Sequence, residues 1–180
     1  MSSRLSLVDP AVTHNKAEEL LRSVKAKMGV VPNMMKTMAH SPALLEGYLA
    51  FSGALSKGVL PAVVREQLAL LVSQYNGCEY CLSAHTLFAG RAGLKPEQVA
   101  WAREGVSDDP KTQAALSLAQ NILDNRGDVS DDQLADAREA GLSDAEIAEV
   151  VGHVALTTLT NYFNELAHTE VDFPRVPITV

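Results

Sequence analysis

Cysteine is nearly absent from this chain: the 180 residues contain two, Cys78 and Cys81, only three positions apart. So close a pair staples nothing distant, so the fold does not depend on a disulfide framework. Aromatic residues are scarce at 5%, and no stretch alternates apolar and polar residues with the period of two that a half-buried strand requires. Without that alternation a βαβ setting for the cysteines is excluded, and no glycine-rich loop follows a strand to cradle a phosphate. Basic residues are outnumbered, 15 against 22 acidic, for a net charge of −7. That balance argues against nucleic acid and against anionic lipid as partners. No apolar run reaches membrane-spanning length, and MSSRLSLVDP at the start lacks the apolar segment of a signal peptide. The expectation is a cytoplasmic protein, where thiols stay reduced and a local cysteine pair serves catalysis or metal binding.

What is plentiful is Ala, Leu and Val, within a hydrophobic share of 47%. Helical patterning and punctuation point to one all-α domain over 1–180, with its core over about 14–168 and an arm at each end. Thr13 caps a helix over His14–Met28, which Gly29 stops. Met34–Met38 forms a short turn of helix, whose three methionines read as adaptable core filling or as the lining of a pocket. Ser41-Pro42 starts a helix to about Ser56. Pro61–Tyr75 and Cys78–Ala89 are expected to form an antiparallel helical hairpin about Asn76-Gly77. Further helices are expected from Pro96 to Arg103, from about Pro110 to Asn125, over 131–140 and over 144–168. The last of these opens on a capping box at Ser143 and Glu146. The tail from Val171 reads as an arm that frays or packs on a neighbour. A faint repeat relates Leu60–Phe88 to Leu142–Glu170.

The hairpin carries the chemistry. A helix begun near Gly77 puts Cys78, Cys81 and His85 on one face, at i, i+3 and i+7. At 1.5 Å per residue, Glu66 lies about 15 Å before the turn and His85 about 12 Å after it, so the two stand nearly side by side. A dithiol, an imidazole and a carboxylate that orients it make a redox site with a proton relay. Two arguments compete over which thiol is attacked. The helix dipole favours Cys78, nearer the helix start, whereas proximity to the base favours Cys81, one turn from His85 at about 6 Å. Distance outweighs the dipole, and Cys81 is the expected nucleophile. Competing readings are simple core packing, a zinc site completed by Glu66 or His153, and for Glu66 alone a solvated helix charge. Tyr80, between the cysteines, is either a pocket wall or packing. Trp101 reads as core or interface, and His14, His40, His153 and His168 as structural or surface residues.

Glu66, eleven residues, Cys78, two residues, Cys81, three residues, His85 resembles the signature of alkylhydroperoxidase D (AhpD)-like proteins in the carboxymuconolactone decarboxylase superfamily. The segment VVPNMMKTMAHSPALLEGYLAF over Val30–Phe51 extends the resemblance to that superfamily's uncharacterised peroxidase-related branch. The resemblance implies an all-α homo-oligomer, trimer or hexamer, with neither metal nor organic cofactor. It also implies hydroperoxide reduction by the cysteine pair, with electrons from a lipoylated protein or another dithiol. By position Cys81 resembles the peroxide-attacked thiol, Cys78 the resolving one, and His85 with Glu66 the relay. The alkylhydroperoxidase D enzymes carry His just before the second cysteine, where this chain has Tyr80. Antioxidant peroxidase action is the reading that follows. A dithiol–disulfide oxidoreductase, or a redox-sensing or zinc-binding module without catalysis, are its alternatives.

Overall fold

The structure is a computed structural model that describes residues 3–10 and 16–178. The capping assigned to Thr13 and the placement of His14 lie outside the described residues. Within them the secondary structure is helical throughout, with no strand. In order the helices are α1 (Lys16–Met28), α2 (Asn33–Met38), α3 (Pro42–Leu55), α4 (Ala62–Tyr75) and α5 (Glu79–Arg91). They continue as α6 (Pro96–Arg103), α7 (Pro110–Asn125), α8 (Asp131–Glu139) and α9 (Asp144–Ala167). The caps show why they begin there. Ser41 and Asp109 accept hydrogen bonds from the backbone N–H of Leu44 and Thr112, each with a proline opening the helix behind it. Ser130 with Gln133, and Ser143 with Glu146, close reciprocal capping boxes.

Helix α4 is the axis of the molecule. Seven successive residues, Gln67 to Ser73, are buried, so it is covered on every side rather than along one stripe. It packs against α5, α6, α7 and α9. Three apolar clusters follow. One joins α4, α7, α8 and α9 around Leu68, Leu116 and Val150. Another joins α1, α2 and α3 to the cysteine turn around Leu21, Met38 and Leu45, and a third packs α4, α5 and α6 around Leu70, Leu82 and Ala102. The α4–α5 turn passes through Gly77 at φ +72, a conformation that side chains disfavour. Among the described residues, no helix is long and apolar enough to cross a membrane.

Several expectations are corrected or narrowed. Helix α5 begins at Glu79, and Cys78 is its N-cap in extended backbone, not its first turn. The tail does not fray over its described part: Val176 N–H donates to Ser83 Oγ at 3.0 Å, and Arg103 donates to the Pro177 carbonyl at 3.0 Å. Leu142–Glu170 is no copy of the hairpin, because one unbroken 24-residue helix fills it where the earlier segment turns back on itself. Of the two readings of Trp101, core and interface, its 40% exposure removes the first.

Candidate active site

The structure brings together all four residues of the expected constellation, with Tyr80 beside them. Glu66 on α4 and His85 on α5 meet across the hairpin, His85 Nδ1 to Glu66 Oε2 at 2.8 Å. Their antiparallel packing makes that meeting possible, and it removes the solvated-charge reading of Glu66. Burial works against a charged His85, but the adjacent Glu66 carboxylate, by its charge and its hydrogen bond, raises the imidazole above its ordinary value. With Nδ1 held, Nε2 is the ring nitrogen that serves the cavity.

Both cysteines are free and buried, with Sγ atoms 2.6 Å apart. As N-cap, Cys78 folds its sulfur back to accept from Cys81 N–H at 3.3 Å, which brings the thiols together across the first turn. Their surroundings differ. Cys78 donates its S–H to Cys81, and that bond, then burial, raises it well above the ordinary thiol range. Burial also pushes Cys81 up, but the bonds from Cys78, Asn164 and Asn161 and the charge of His85 outweigh it and lower the thiol to about 7. Asn164 Nδ2 donates to Cys81 Sγ at 3.2 Å.

Cys81, His85 and Glu66 share a cavity of about 250 Å³. Its walls also include Met34, Met35, Tyr48, Thr160 and Phe173. The methionine group therefore divides: Met34 and Met35 line the cavity while Met38 is core. Tyr80 is a wall residue with a further task. Its hydroxyl accepts from Met34 N–H at 3.1 Å and donates to Asp172 Oδ1 at 2.8 Å. Asp172 Oδ2 accepts from Asn33 N–H at 2.9 Å, so the tail is clasped to α2. Phe173 then stacks edge-on against Tyr80 and Phe88. Burial and then the charge on Cys81 push the Tyr48 phenol up to about 12, so it stays protonated in the cavity.

His153 is buried on α9 with Nε2 unpartnered among the described residues, His40 bonds Ser6 at the surface, and His168 ends α9 in a left-handed conformation. Among the described residues, no group of three or more His, Cys, Asp or Glu is arranged to hold a metal ion.

Sequence reasoning missed Asn161, Asn164 and Thr160, and the tail residues Asp172 and Phe173. The available signal was the row His153, Thr157, Thr160, Asn161 and Asn164, polar at helical spacing inside an apolar helix. By itself such a row reads equally as a solvated face; here it is buried and Asn164 reaches Cys81.

The all-α fold is AhpD-like. It superposes on the alkylhydroperoxidase AhpD core of an uncharacterized peroxidase-related protein from Ralstonia eutropha JMP134 with a TM-score of 0.85. That match covers 97% of each chain at 24% identity. A peroxidase-related protein from Silicibacter sp. TM1040 gives a TM-score of 0.80 at 21% identity, over 93% of this chain and 91% of that one. The debrominase Bmp8 gives 0.79 at 19% identity, over 96% and 94%. Residues 42–121 match the carboxymuconolactone decarboxylase family. Over residues 42–121, and in its fold, the chain is similar to AhpD-like proteins of the carboxymuconolactone decarboxylase family. No curated protein matches the sequence.

Proposed function

We propose that the protein is a thiol-dependent peroxidase of antioxidant type. One observation carries the reading: the more acidic thiol, Cys81, faces a small cavity beside an imidazole held by a carboxylate, with a second thiol 2.6 Å away. His85 takes the proton of Cys81. The thiolate attacks one oxygen of a hydroperoxide, an S–O bond forms, the O–O bond breaks, and the alkoxide leaves with the proton from His85. Cys78 then attacks the Cys81 sulfenic acid, forming the Sγ–Sγ bond and releasing water. Two electrons from a dithiol, a lipoylated protein being one such donor, restore both thiols. The neutral Tyr48 phenol, in the wall of the same cavity, can donate a hydrogen bond to a bound peroxide.

Burial supports a small oxidant over a protein disulfide as substrate, because Cys81 is 3% exposed and reached through a cavity of about 250 Å³. The neighbours that carry peroxidase-related names share this fold. The outer face of α9 exposes Val151, Leu159, Tyr162 and Leu166, an apolar row that supports association of copies into the expected homo-oligomer. A reducing compartment such as the cytoplasm suits the thiol cycle.

Intact mass after one equivalent of hydroperoxide tests the reading: the expected product has lost two hydrogens, as a Cys78–Cys81 disulfide. In Cys78→Ser the sulfenic acid accumulates on Cys81, trapped by a dimedone-type reagent, whereas Cys81→Ser gives little trapping. Trapping on Cys78 in Cys81→Ser, with none on Cys81 in the reciprocal variant, reverses the roles. Wild-type protein left at its starting mass rejects the peroxidase.

A further inference from the structure

Helix α9 buries two asparagines beside the cysteine turn, Asn161 at 0% and Asn164 at 3% exposed. They are held in different ways. Asn161 is met at both ends of its amide: Oδ1 accepts from Asn76 Nδ2 at 2.9 Å, and Nδ2 donates to Ser73 Oγ at 3.3 Å. It ties α9 to the end of α4, as a structural amide does. Asn164 is met at one end. Its Nδ2 donates to Cys81 Sγ at 3.2 Å, while its Oδ1 is buried with no partner among the described residues. An amide taken out of water for one bond to a sulfur destabilises the fold, because its carbonyl loses water and meets nothing in return. That imbalance ties Asn164 to the chemistry of its one partner rather than to the fold.

Position and chemistry agree. The catalytic cavity is lined by Cys81, His85 and Glu66 but not by Asn164, so the amide reaches the sulfur from outside and leaves the cavity face open to an oxidant. A hydrogen bond to a charged acceptor is roughly twice as strong as a neutral one, and a thiol sulfur accepts only weakly. The Asn164 N–H therefore holds an ionised Cys81 more strongly than a protonated one. Cys78 also donates to this sulfur, but that bond is lost once the two sulfurs join, whereas Asn164 takes no covalent part.

We propose that Asn164 is a catalytic residue, whose amide N–H holds the charge of the Cys81 thiolate as the sulfur meets the oxidant. Its part in peroxide reduction rests on the peroxidase reading above. Asn164 moves no proton: its N–H bonds stay intact, and His85 takes the proton of Cys81 and returns it to the leaving alkoxide. Two effects oppose each other. Holding the charge raises the thiolate fraction, but it also makes each thiolate less nucleophilic. Nucleophilicity follows basicity with a slope of only about 0.4–0.5, as in thiol–disulfide exchange, so the larger population wins below the midpoint. Well above the midpoint that advantage vanishes and the weaker nucleophile remains.

Asn164→Leu and Asn164→Asp test this. The first keeps the branched shape without polar atoms, and the second keeps the shape without a side-chain N–H. Alkylation by iodoacetamide, located at Cys81 by peptide mapping, gives the pH midpoint of the thiol without any peroxide. The midpoint should rise by about one pH unit in Asn164→Leu and by at least as much in Asn164→Asp. Asn164→Leu should melt within about 4 °C of the wild type, since the bond it loses is offset by removal of the unmet Oδ1. Its second-order rate constant with a hydroperoxide should be several-fold lower below about pH 7 and equal or higher above about pH 9, so the two pH profiles cross. A midpoint unmoved in either variant overturns the inference. So does a rate lowered by the same factor at every pH, which is what a misplaced hairpin gives. If peroxide forms no disulfide in the wild type, the peroxidase reading fails while the alkylation midpoints still decide whether Asn164 holds the thiolate. If peroxide forms it and the midpoints stay put, the assignment of Asn164 fails alone.

Discussion

Two residues separate Cys78 from Cys81, yet one thiol is held protonated and the other is lowered to about 7. The helix-start argument does not account for this. Cys78 sits outside the helix as its cap, spending its S–H on Cys81, while Cys81 collects bonds from Cys78, Asn164 and Asn161 and the charge of His85. The pH dependence follows. Cys81 is mainly thiol below about 7 and mainly thiolate above, so its alkylation by iodoacetamide should rise through a midpoint near 7. Glu66→Gln removes the charge that raises His85, so less imidazolium supports the thiolate. The midpoint should move upward, and the peroxide rate should fall by about 10²-fold on general acid–base magnitudes. An unchanged profile in that variant removes Glu66 from the relay. The meeting of Glu66 and His85 could be read from the sequence because helix rise and one turn determine it. The acidity of Cys81 could not, because Asn164 approaches from 83 positions away.

Among the elements, the legible boundaries were those with local chemistry behind them. Ser41, Asp109, Ser130 and Ser143 each hold the N–H three residues on, so the sequence contains both halves of the signal. The start of α5 was misplaced by one residue for the converse reason: cysteine is not an expected cap, and here its sulfur takes that place. Helix α9 carries Asn164 at one end and the Ser143 cap at the other, about 30 Å away at helical rise. Ser143→Ala should therefore cost about 1 kcal/mol and lower the melting temperature by about 2–4 °C. It should leave the pH midpoint of Cys81 where it was. A shift of that midpoint would show that the far cap governs the placement of Asn164.

Over the whole molecule, α4 is buried on all sides and the other layers are arranged about it, so the hairpin it shares with α5 sits at the centre. Hydrophobic content and helix punctuation made that class of fold legible. The course of the tail was not, because two prolines and short apolar residues specify no partner. Its position rests on tertiary contacts to Tyr80, Asn33, Ser83 and Phe88. Phe173→Ala removes one cavity wall and both edge-on ring contacts. Labelling of Cys81 by a bulky maleimide should then accelerate several-fold, with a small fall in melting temperature. Equal labelling in the two proteins would mean that Phe173 does not limit entry.

The clasp formed by Asp172 and Phe173 is synthesised after both helices of the hairpin that it covers. While those residues remain inside the ribosome, α4 and α5 can pair and bring both sulfurs together, but the wall over them is missing. Each new molecule thus passes through an interval in which the Cys81 sulfur stands open to whatever oxidants surround it, and docking of the clasp ends that interval.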